Sequence, residues 1–306
     1  MWGIIPAAGR GSRIQPLAFS KELLPVGARI LDDTQRPCAV SEYLLERMIR
    51  GGADKVCFVI GAGKSDILEY FGGQFGGADL VYVVQAQPAG LCDAIFRAHP
   101  LIAAGETVAV GLPDTVWFPD SGFTALPDDQ LSFLLFPVER PELFDAVALD
   151  ARDRVLEIRV KQARPGTRWI WGAFKMPARI FHELRQLWIE RDGRDEYIGT
   201  LVNAYIAGGG TAFGCKAGQA YVDVGTLHGY RAAMMMLSAQ QTSPPRETAA
   251  AGPRPARPDE LRDAAPHEGG LHESGLHESG LHVSDPRGGG PVARPGAHVG
   301  SGERRR

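Results

Sequence analysis

Five short apolar runs punctuate the first half of the chain: Trp2–Pro6, Lys55–Ile60, Asp79–Val84, Thr107–Gly111 and Ser132–Pro137. They are mostly unbroken rather than alternating, the pattern of strands covered on both faces. Helical spacing fills the intervals. Leu44, Leu45, Met48 and Ile49 fall on one face, with Ser41 placed to cap that helix and Gly51-Gly52 to end it. Ser65–Phe71 and Leu91–His99 predict two further helices. Later in the chain, Ala146–Val160 and Trp169–Phe174 predict strands, and Ala178–Glu190, Glu196–Ala207 and Thr226–Leu237 predict helices. This alternation predicts an α/β fold, a mainly parallel sheet with helices on both faces.

The pattern stops near Gln241. Beyond it Pro, Gly, Arg, Glu and His dominate, and large apolar residues are rare. Ser274-Gly275-Leu276-His277-Glu278 is followed by the near copy Ser279-Gly280-Leu281-His282-Val283, a period too short for a solenoid unit. Such a segment buries too little surface to offset its ordering entropy. The expected organisation is therefore one domain over residues 1–241 and a disordered low-complexity tail over 242–306. His267, His272, His277 and His282 offer loose metal ligands, but repetitive low-complexity sequence accounts for them without one.

Composition narrows the class. The chain has 306 residues, 44% of them hydrophobic, enough for a sizeable core. A net charge of -3 gives no reason to expect a nucleic-acid partner. No apolar run reaches the roughly 20 residues of a membrane helix. The opening Met1-Trp2-Gly3-Ile4-Ile5-Pro6 has no basic flank and reads as a strand rather than a leader. Cys38, Cys57, Cys92 and Cys215 are scattered without metal-ligand spacing, as expected of free thiols in a reducing cytoplasm. No membrane partner is expected, and a homo-oligomer is left open.

In open α/β sheets, ligands bind beyond the carboxyl ends of the strands. The first such end is Pro6-Ala7-Ala8-Gly9-Arg10-Gly11-Ser12-Arg13. Small residues let backbone approach a ligand, and its N–H groups can cradle phosphate oxygens. Two familiar motifs fail here. The dinucleotide fingerprint needs a glycine where Ile14 stands, and the Gly-Lys-Ser/Thr of the P-loop is absent. By itself the segment is equally a tight strand-to-helix turn.

The continuation is more specific: Arg13-Ile14-Gln15-Pro16-Leu17, then Ser20-Lys21-Glu22-Leu23-Leu24-Pro25-Val26. Here the chain resembles the sugar nucleotidylyltransferases, which carry Gly-x-Gly-Thr-Arg, then Pro, then Lys-x-Leu-Leu-Pro-Val; Ser12 in place of Thr is the departure. Arg36-Pro37 resembles a Lys-Pro that opens the next helix. Gln85 through Pro88, with Gly90 and Leu91, resembles a Gln…Pro-x-Gly-Leu base-recognition segment. His99-Pro100 and Val108–Asp114 are similar to the stretch ending Leu-Pro-Asp in uridylyltransferases of glucose 1-phosphate. Tyr221-Val222-Asp223-Val224-Gly225-Thr226 is similar to the Trp-Leu-Asp-Thr-Gly-Thr of the corresponding thymidylyltransferases, and Gly229-Tyr230 again resembles the uridylyltransferases. The likeness runs over residues 2–237.

The resemblance implies a Rossmann-like fold of the nucleotide-diphospho-sugar transferase type. It also implies transfer of a nucleotidyl group from a nucleoside triphosphate, dTTP or UTP, to a sugar 1-phosphate such as glucose 1-phosphate. Ala7, Ala8, Gly9, Gly11 and Ser12 would hold the nucleotide phosphates, and Gln85, Pro88 and Gly90 the base. Arg13 and Lys21 would be catalytic, Asp114 and Asp223 would hold Mg2+, and Lys161, Gly172 and Glu196 would meet the sugar phosphate. The residue chemistry agrees with this scheme. A phosphate nucleophile is already an anion, so no general base is needed, and charge stabilisation and alignment carry the reaction. Magnesium favours one or two carboxylates plus phosphate oxygens. Gln85 can both accept from and donate to a pyrimidine edge.

Two departures cluster in the expected sugar pocket. Val160-Lys161-Gln162 keeps the lysine of a Glu-Lys-Pro triplet and loses its acidic neighbour, and Asp145 stands where the thymidylyltransferases have glycine, with Trp169 and Trp171 flanking Gly172. They leave the sugar open. A glycosyltransferase on a related scaffold would need an Asp-x-Asp at the end of a central strand, which is absent. A non-catalytic nucleotide-sugar-binding homologue would tolerate loss of Arg13, Lys21, Asp114 or Asp223, and all four are present.

Overall fold

The computed structural model describes residues 1–31 and 33–241. In chain order the strands and helices are β1 (Trp2–Ala7), β2 (Pro25–Leu31), β3 (Thr34–Ala39), α1 (Val40–Arg50), β4 (Lys55–Gly61), α2 (Ser65–Phe71), β5 (Gln74–Phe75), β6 (Ala78–Gln85), α3 (Gly90–Phe96), β7 (Thr107–Gly111), β8 (Thr115–Phe118), β9 (Leu131–Pro137), β10 (Ala146–Leu149), β11 (Val155–Arg159), β12 (Trp169–Pro177), α4 (Ala178–Glu190), α5 (Ile198–Ala207), β13 (Ala212–Cys215), β14 (Ala220–Asp223) and α6 (Leu227–Gln241).

The main sheet runs β11-β10-β12-β7-β1-β4-β6-β5, with β9 on the other edge of β12 and β13 beyond it. β1 pairs parallel with β4 and β7, and β4 pairs parallel with β6. These are the unbroken apolar runs of the sequence. The half around β12 is antiparallel: β12 pairs with β9 along one edge, and with β10 and then β7 along the other. The α/β expectation holds, with this antiparallel half as its refinement. The chain leaves β1 for β4 on one side, while β7 joins β1 on the other. That reversal is a topological switch point, where open α/β sheets bind ligands.

Two apolar layers cover the sheet. Ile4, Val59, Phe133 and Phe174 pack with Ile95, Phe181 and Leu184 on one face. Ile5, Phe58 and Phe136 pack with Leu44, Leu45, Met48 and Trp117 on the other. A third, smaller cluster joins Leu24, Val26, Val116 and Val224 to Ala233 and Leu237 of α6. Val26, Val116 and Val224 are fully buried, which contributes about 1.5–3 kcal/mol each. This cluster matters for function because Leu24, Val116 and Val224 stand within three residues of Lys21, Asp114 and Asp223 respectively.

Several local expectations shift. The helix expected after Ser41 begins at Val40. Ser41 is buried, and its hydroxyl donates to the Glu22 carbonyl at 2.7 Å instead of capping. Glu42 supplies the cap, its Oε1 accepting from the Ala39 N–H at 3.2 Å. Arg36-Pro37 lies in β3, within a hairpin with β2 whose exposed polar residues gave no apolar signal. Ala146–Val160 resolves into a β10–β11 hairpin. Asp150 Oδ1 accepts from the N–H groups of Arg152 and Arg154 at 2.8 and 2.9 Å, turning the chain there.

Cys38, Cys57 and Cys92 are buried and Cys215 half-buried, all as free thiols. Among the described residues no helix is long and apolar enough to cross a membrane. The tail expected over 242–306, with its four histidines, lies outside the described residues.

Candidate functional site

Ala7 ends β1 and Gly111 ends β7 next to it, so the loops that follow emerge side by side at the switch point. Gly11 has φ +65°, and a Cβ there would stand 2.5 Å from Lys21 Cδ. Only glycine lets the loop lie against the lysine stem in that conformation. Ala7 and Ala8 are buried, whereas Gly9, Ser12 and Arg13 are exposed.

Four charged groups meet beside this loop. The Lys21 ammonium donates to Asp114 Oδ2, and Arg13 Nη2 donates to Asp223 Oδ2 at 3.1 Å. Antiparallel pairing of β8 and β14 sets Asp223 opposite Thr115, and so beside Asp114. The Val224 N–H donates to the Asp114 carbonyl at 2.8 Å, and the Gly225 N–H to Asp223 Oδ1 at 2.6 Å. A Cβ on Gly225 would stand 2.8 Å from Asp223 Oδ1, 3.0 Å from Arg13 Nη2 and 3.3 Å from Asp114 Oδ2. Three of the expected functional groups therefore surround one point that a side chain would fill.

The electrostatics follow. Burial works against the Lys21 charge, yet Asp114, Glu22 and Asp223 outweigh it and leave the lysine pKa raised. Burial likewise opposes the Asp114 charge, but Lys21, with help from Arg13, holds that carboxyl below its ordinary value. Asp114 is thus ionised, and Lys21 protonated, throughout the neutral range.

A second group forms at the carboxyl end of β6. Register pairs Ala7 with Ile60 and Gly61 with Gln85, which puts Gln85 on the same sheet edge as the glycine loop. Gln85 is buried, and its Nε2 donates to Asp93 Oδ2 at 2.6 Å and to the Gly90 carbonyl at 3.2 Å. Both amide hydrogens are engaged, so the accepting oxygen is the half of the expected base pairing that stays available. Pro88 is exposed. Gly90 has φ +87°, and a Cβ on it would stand 2.8 Å from Glu196 Cα. The Glu196 carbonyl accepts from the Leu91 N–H at 2.8 Å, and the Glu196 side chain is exposed. Gly90 and Glu196, singled out for different substrates, thus come together.

The third group is built by β10, β11 and β12. Ala146 pairs with Arg159 on one side and Ile170 on the other, so Asp145 lies between Val160-Lys161 and Trp171-Gly172. Lys161 Nζ stands 3.5 Å from Asp145 Oδ1 and 6.0 Å from the Tyr197 ring centroid. The Asp145 side chain is 10% exposed, and its buried Oδ1 accepts no hydrogen bond. A Cβ on Gly172 would stand 2.6 Å from ring atoms of Phe136 and Tyr221. Tyr221 feels the charges of Asp223, Asp114 and Asp145, which ties this group to the first. The sequence marked neither the place of the Tyr221 ring against Gly172 nor that of Lys64, whose ammonium donates to the Ala7 and Gly9 carbonyls. A lone tyrosine in a strand and a lone lysine in a turn carry no pattern.

Residues 2–240 match the sequence model of the nucleotidyl transferase family. Over 99 residues, 32% of this chain, the protein is 26% identical to the UTP–glucose-1-phosphate uridylyltransferase AglF of Haloferax volcanii; the match spans 38% of that relative's length. A Bacillus anthracis structure described as a glucose-1-phosphate thymidylyltransferase in complex with sucrose superposes with a TM-score of 0.65 at 22% identity, covering 78% of this chain and 95% of that one. The UTP-bound UGPase of Acinetobacter baumannii gives 0.62 at 19% identity, covering 79% and 94%. At these identities the structural likeness speaks for the fold.

Proposed function

The chain belongs to the nucleotidyl transferase family, and on that premise we propose that it joins a nucleoside triphosphate, dTTP or UTP, to glucose 1-phosphate or a related sugar 1-phosphate. The products are a nucleotide sugar and pyrophosphate. The observation that carries this reading is the convergence of Arg13, Asp114 and Asp223 around Gly225, with Lys21 bonded to Asp114, at the switch point of the sheet.

A sugar phosphate oxygen attacks the α-phosphorus in line. A new phosphorus–oxygen bond forms, and the bond to the bridging oxygen breaks, its electron pair leaving with pyrophosphate. The nucleophile arrives deprotonated, so no side chain need take a proton. Negative charge grows on the leaving oxygens. Lys21 and Arg13 neutralise it, and the N–H groups of the Gly9–Arg13 loop supply further donors. Asp114 and Asp223 would hold a magnesium ion, since their carboxylates converge beside Gly225 and magnesium favours one or two carboxylates together with phosphate oxygens. When bound, such an ion supplies charge neutralisation on the triphosphate. Gln85 and Gly90 serve the base, and Lys161, Gly172 and Glu196 the sugar phosphate. Buried, unpaired thiols agree with a cytoplasmic setting.

A panel of triphosphates against sugar 1-phosphates, read by magnesium-dependent pyrophosphate release, tests this. Turnover with dTTP or UTP is expected. Tight nucleotide-sugar binding without turnover across the panel would instead mark a regulatory homologue.

A further inference from the structure

A second pair of charges, Lys64 and Glu22, stands against the glycine loop. Lys64, in the turn after β4, has a side chain 14% exposed. Its Nζ donates to the Ala7 carbonyl at 2.7 Å and the Gly9 carbonyl at 2.8 Å. The same ammonium lies 2.9 and 2.8 Å from the two carboxylate oxygens of Glu22. The Glu22 side chain is fully buried, and its Oε1 is also 3.8 Å from Lys21 Nζ. Ser41 fixes the Glu22 backbone from below through its carbonyl.

We propose that Lys64, balanced by Glu22, is a positioning residue that sets the phosphate-binding face of the loop and the place of Lys21. This rests on the nucleotidyl-transfer reading above. In a trans peptide unit the C=O and the following N–H point in opposite directions. A cation that holds the Ala7 and Gly9 carbonyls on the inner side therefore turns the Ala8 and Arg10 N–H groups toward the opposite, ligand side. The loop is glycine-rich and would otherwise sample several arrangements. Glu22 keeps the Lys64 charge from standing alone in a nearly buried site. It also places a second negative charge, besides that of Asp114, 3.8 Å from the Lys21 ammonium.

Lys64→Met alone strands the buried Glu22 carboxylate, so the paired variant Lys64→Met/Glu22→Gln, which removes both charges, is the second arm. The experiment measures steady-state KM for each substrate, melting temperature, and calorimetric binding of inorganic tripolyphosphate to parent and paired variant. The expected result is a rise in nucleoside-triphosphate KM, with weaker tripolyphosphate binding, on the order of tenfold to a hundredfold. The sugar-phosphate KM should stay within about twofold of the parent, and the paired variant should remain folded. Unchanged tripolyphosphate binding, or an equal rise in both KM values, would overturn the proposal and leave Lys64 a general structural tie. A parent that binds tripolyphosphate but releases no pyrophosphate would defeat the nucleotidyl-transfer reading. The binding comparison would still decide the role of Lys64.

Discussion

Replacing Lys21 with alanine should damage stability and turnover by separable amounts. The Lys21 and Asp114 side chains are 13% and 15% exposed and paired to each other. Removing one partner of such a buried pair costs about 3–5 kcal/mol, because the other charge is left without compensation. Asp114 keeps some exposure and some field from Arg13, which points to the lower end. At roughly 2–4 °C per kcal/mol for a domain of this size, 3 kcal/mol lowers the melting temperature by about 6–12 °C. Turnover should fall by about two to three orders of magnitude, the usual loss for one preorganised donor on a charge that grows in the transition state. The stability part has a definite pH dependence. The Lys21 pKa is raised, so its contribution is complete below the ordinary lysine value and disappears only as pH rises through the higher folded value. The Asp114 pKa is lowered, so its contribution is complete above the ordinary carboxylate value and disappears as pH falls through the lower folded one. The deficit of the variant should therefore be flat across the neutral range and shrink in acid. Thermal melts by circular dichroism at several pH values, beside a pyrophosphate-release assay, measure both parts. A variant that melts and turns over like the parent would refute the reasoning. A lowered melt with full turnover would reduce Lys21 to a structural tie.

Asp114→Asn and Asp223→Asn should each weaken the magnesium response and lower turnover while the fold survives. A variant with parental turnover and metal titration loses its assignment as a ligand. Gly225→Ala should lower turnover in a folded protein, since its methyl group would stand 2.8–3.3 Å from Asp223, Arg13 and Asp114; parental kinetics would show that this point is not where substrates gather. Asp145→Gly removes the carboxylate beside Lys161. It should change the ratio of kcat/KM among sugar 1-phosphates while leaving the triphosphate KM alone, and an unchanged ratio across the panel would take Asp145 out of sugar selection.

The parallel half of the fold was legible chiefly because β1, β4 and β7 are buried on both faces, which leaves runs of apolar residues with little polar interruption. Ile4, Ile5, Phe58 and Val59 are all fully buried. The β2–β3 hairpin was not, because residues such as Thr34, Gln35 and Arg36 are polar and exposed and leave no period to read. β8 and β14 have four residues each, too short for a pattern, although their pairing brings Asp114 and Asp223 together. The glycine loop, Lys21 and the aspartates were named from motif, and the structure brings them together. What motif could not convey is partnership: that Lys21 faces Asp114, that Gln85 spends its hydrogens on Asp93 and Gly90, or that Asp145 lies across from Lys161. These depend on register between strands distant in sequence, which side-chain chemistry alone does not encode.

β12 has a mechanical consequence. Of its nine residues the central seven are buried. One edge is taken up by β9, and the other is divided between β10, next to Asp145, and β7, which runs on toward Asp114. A single strand thus splints the group around Asp114 to the group around Asp145, the parts proposed above to meet the triphosphate and the sugar. Swinging one against the other would require breaking ladder hydrogen bonds in the core, the slowest class of opening in a native protein. Amide exchange along β12 should accordingly be among the slowest in the chain. The movement left to the enzyme belongs to the exposed segments between strands, around Gly9–Arg13 and Ala86–Ala89, on the nanosecond-to-microsecond scale of loops. Catalysis here would proceed on a stiff template with mobile lips, without a hinge that opens and shuts.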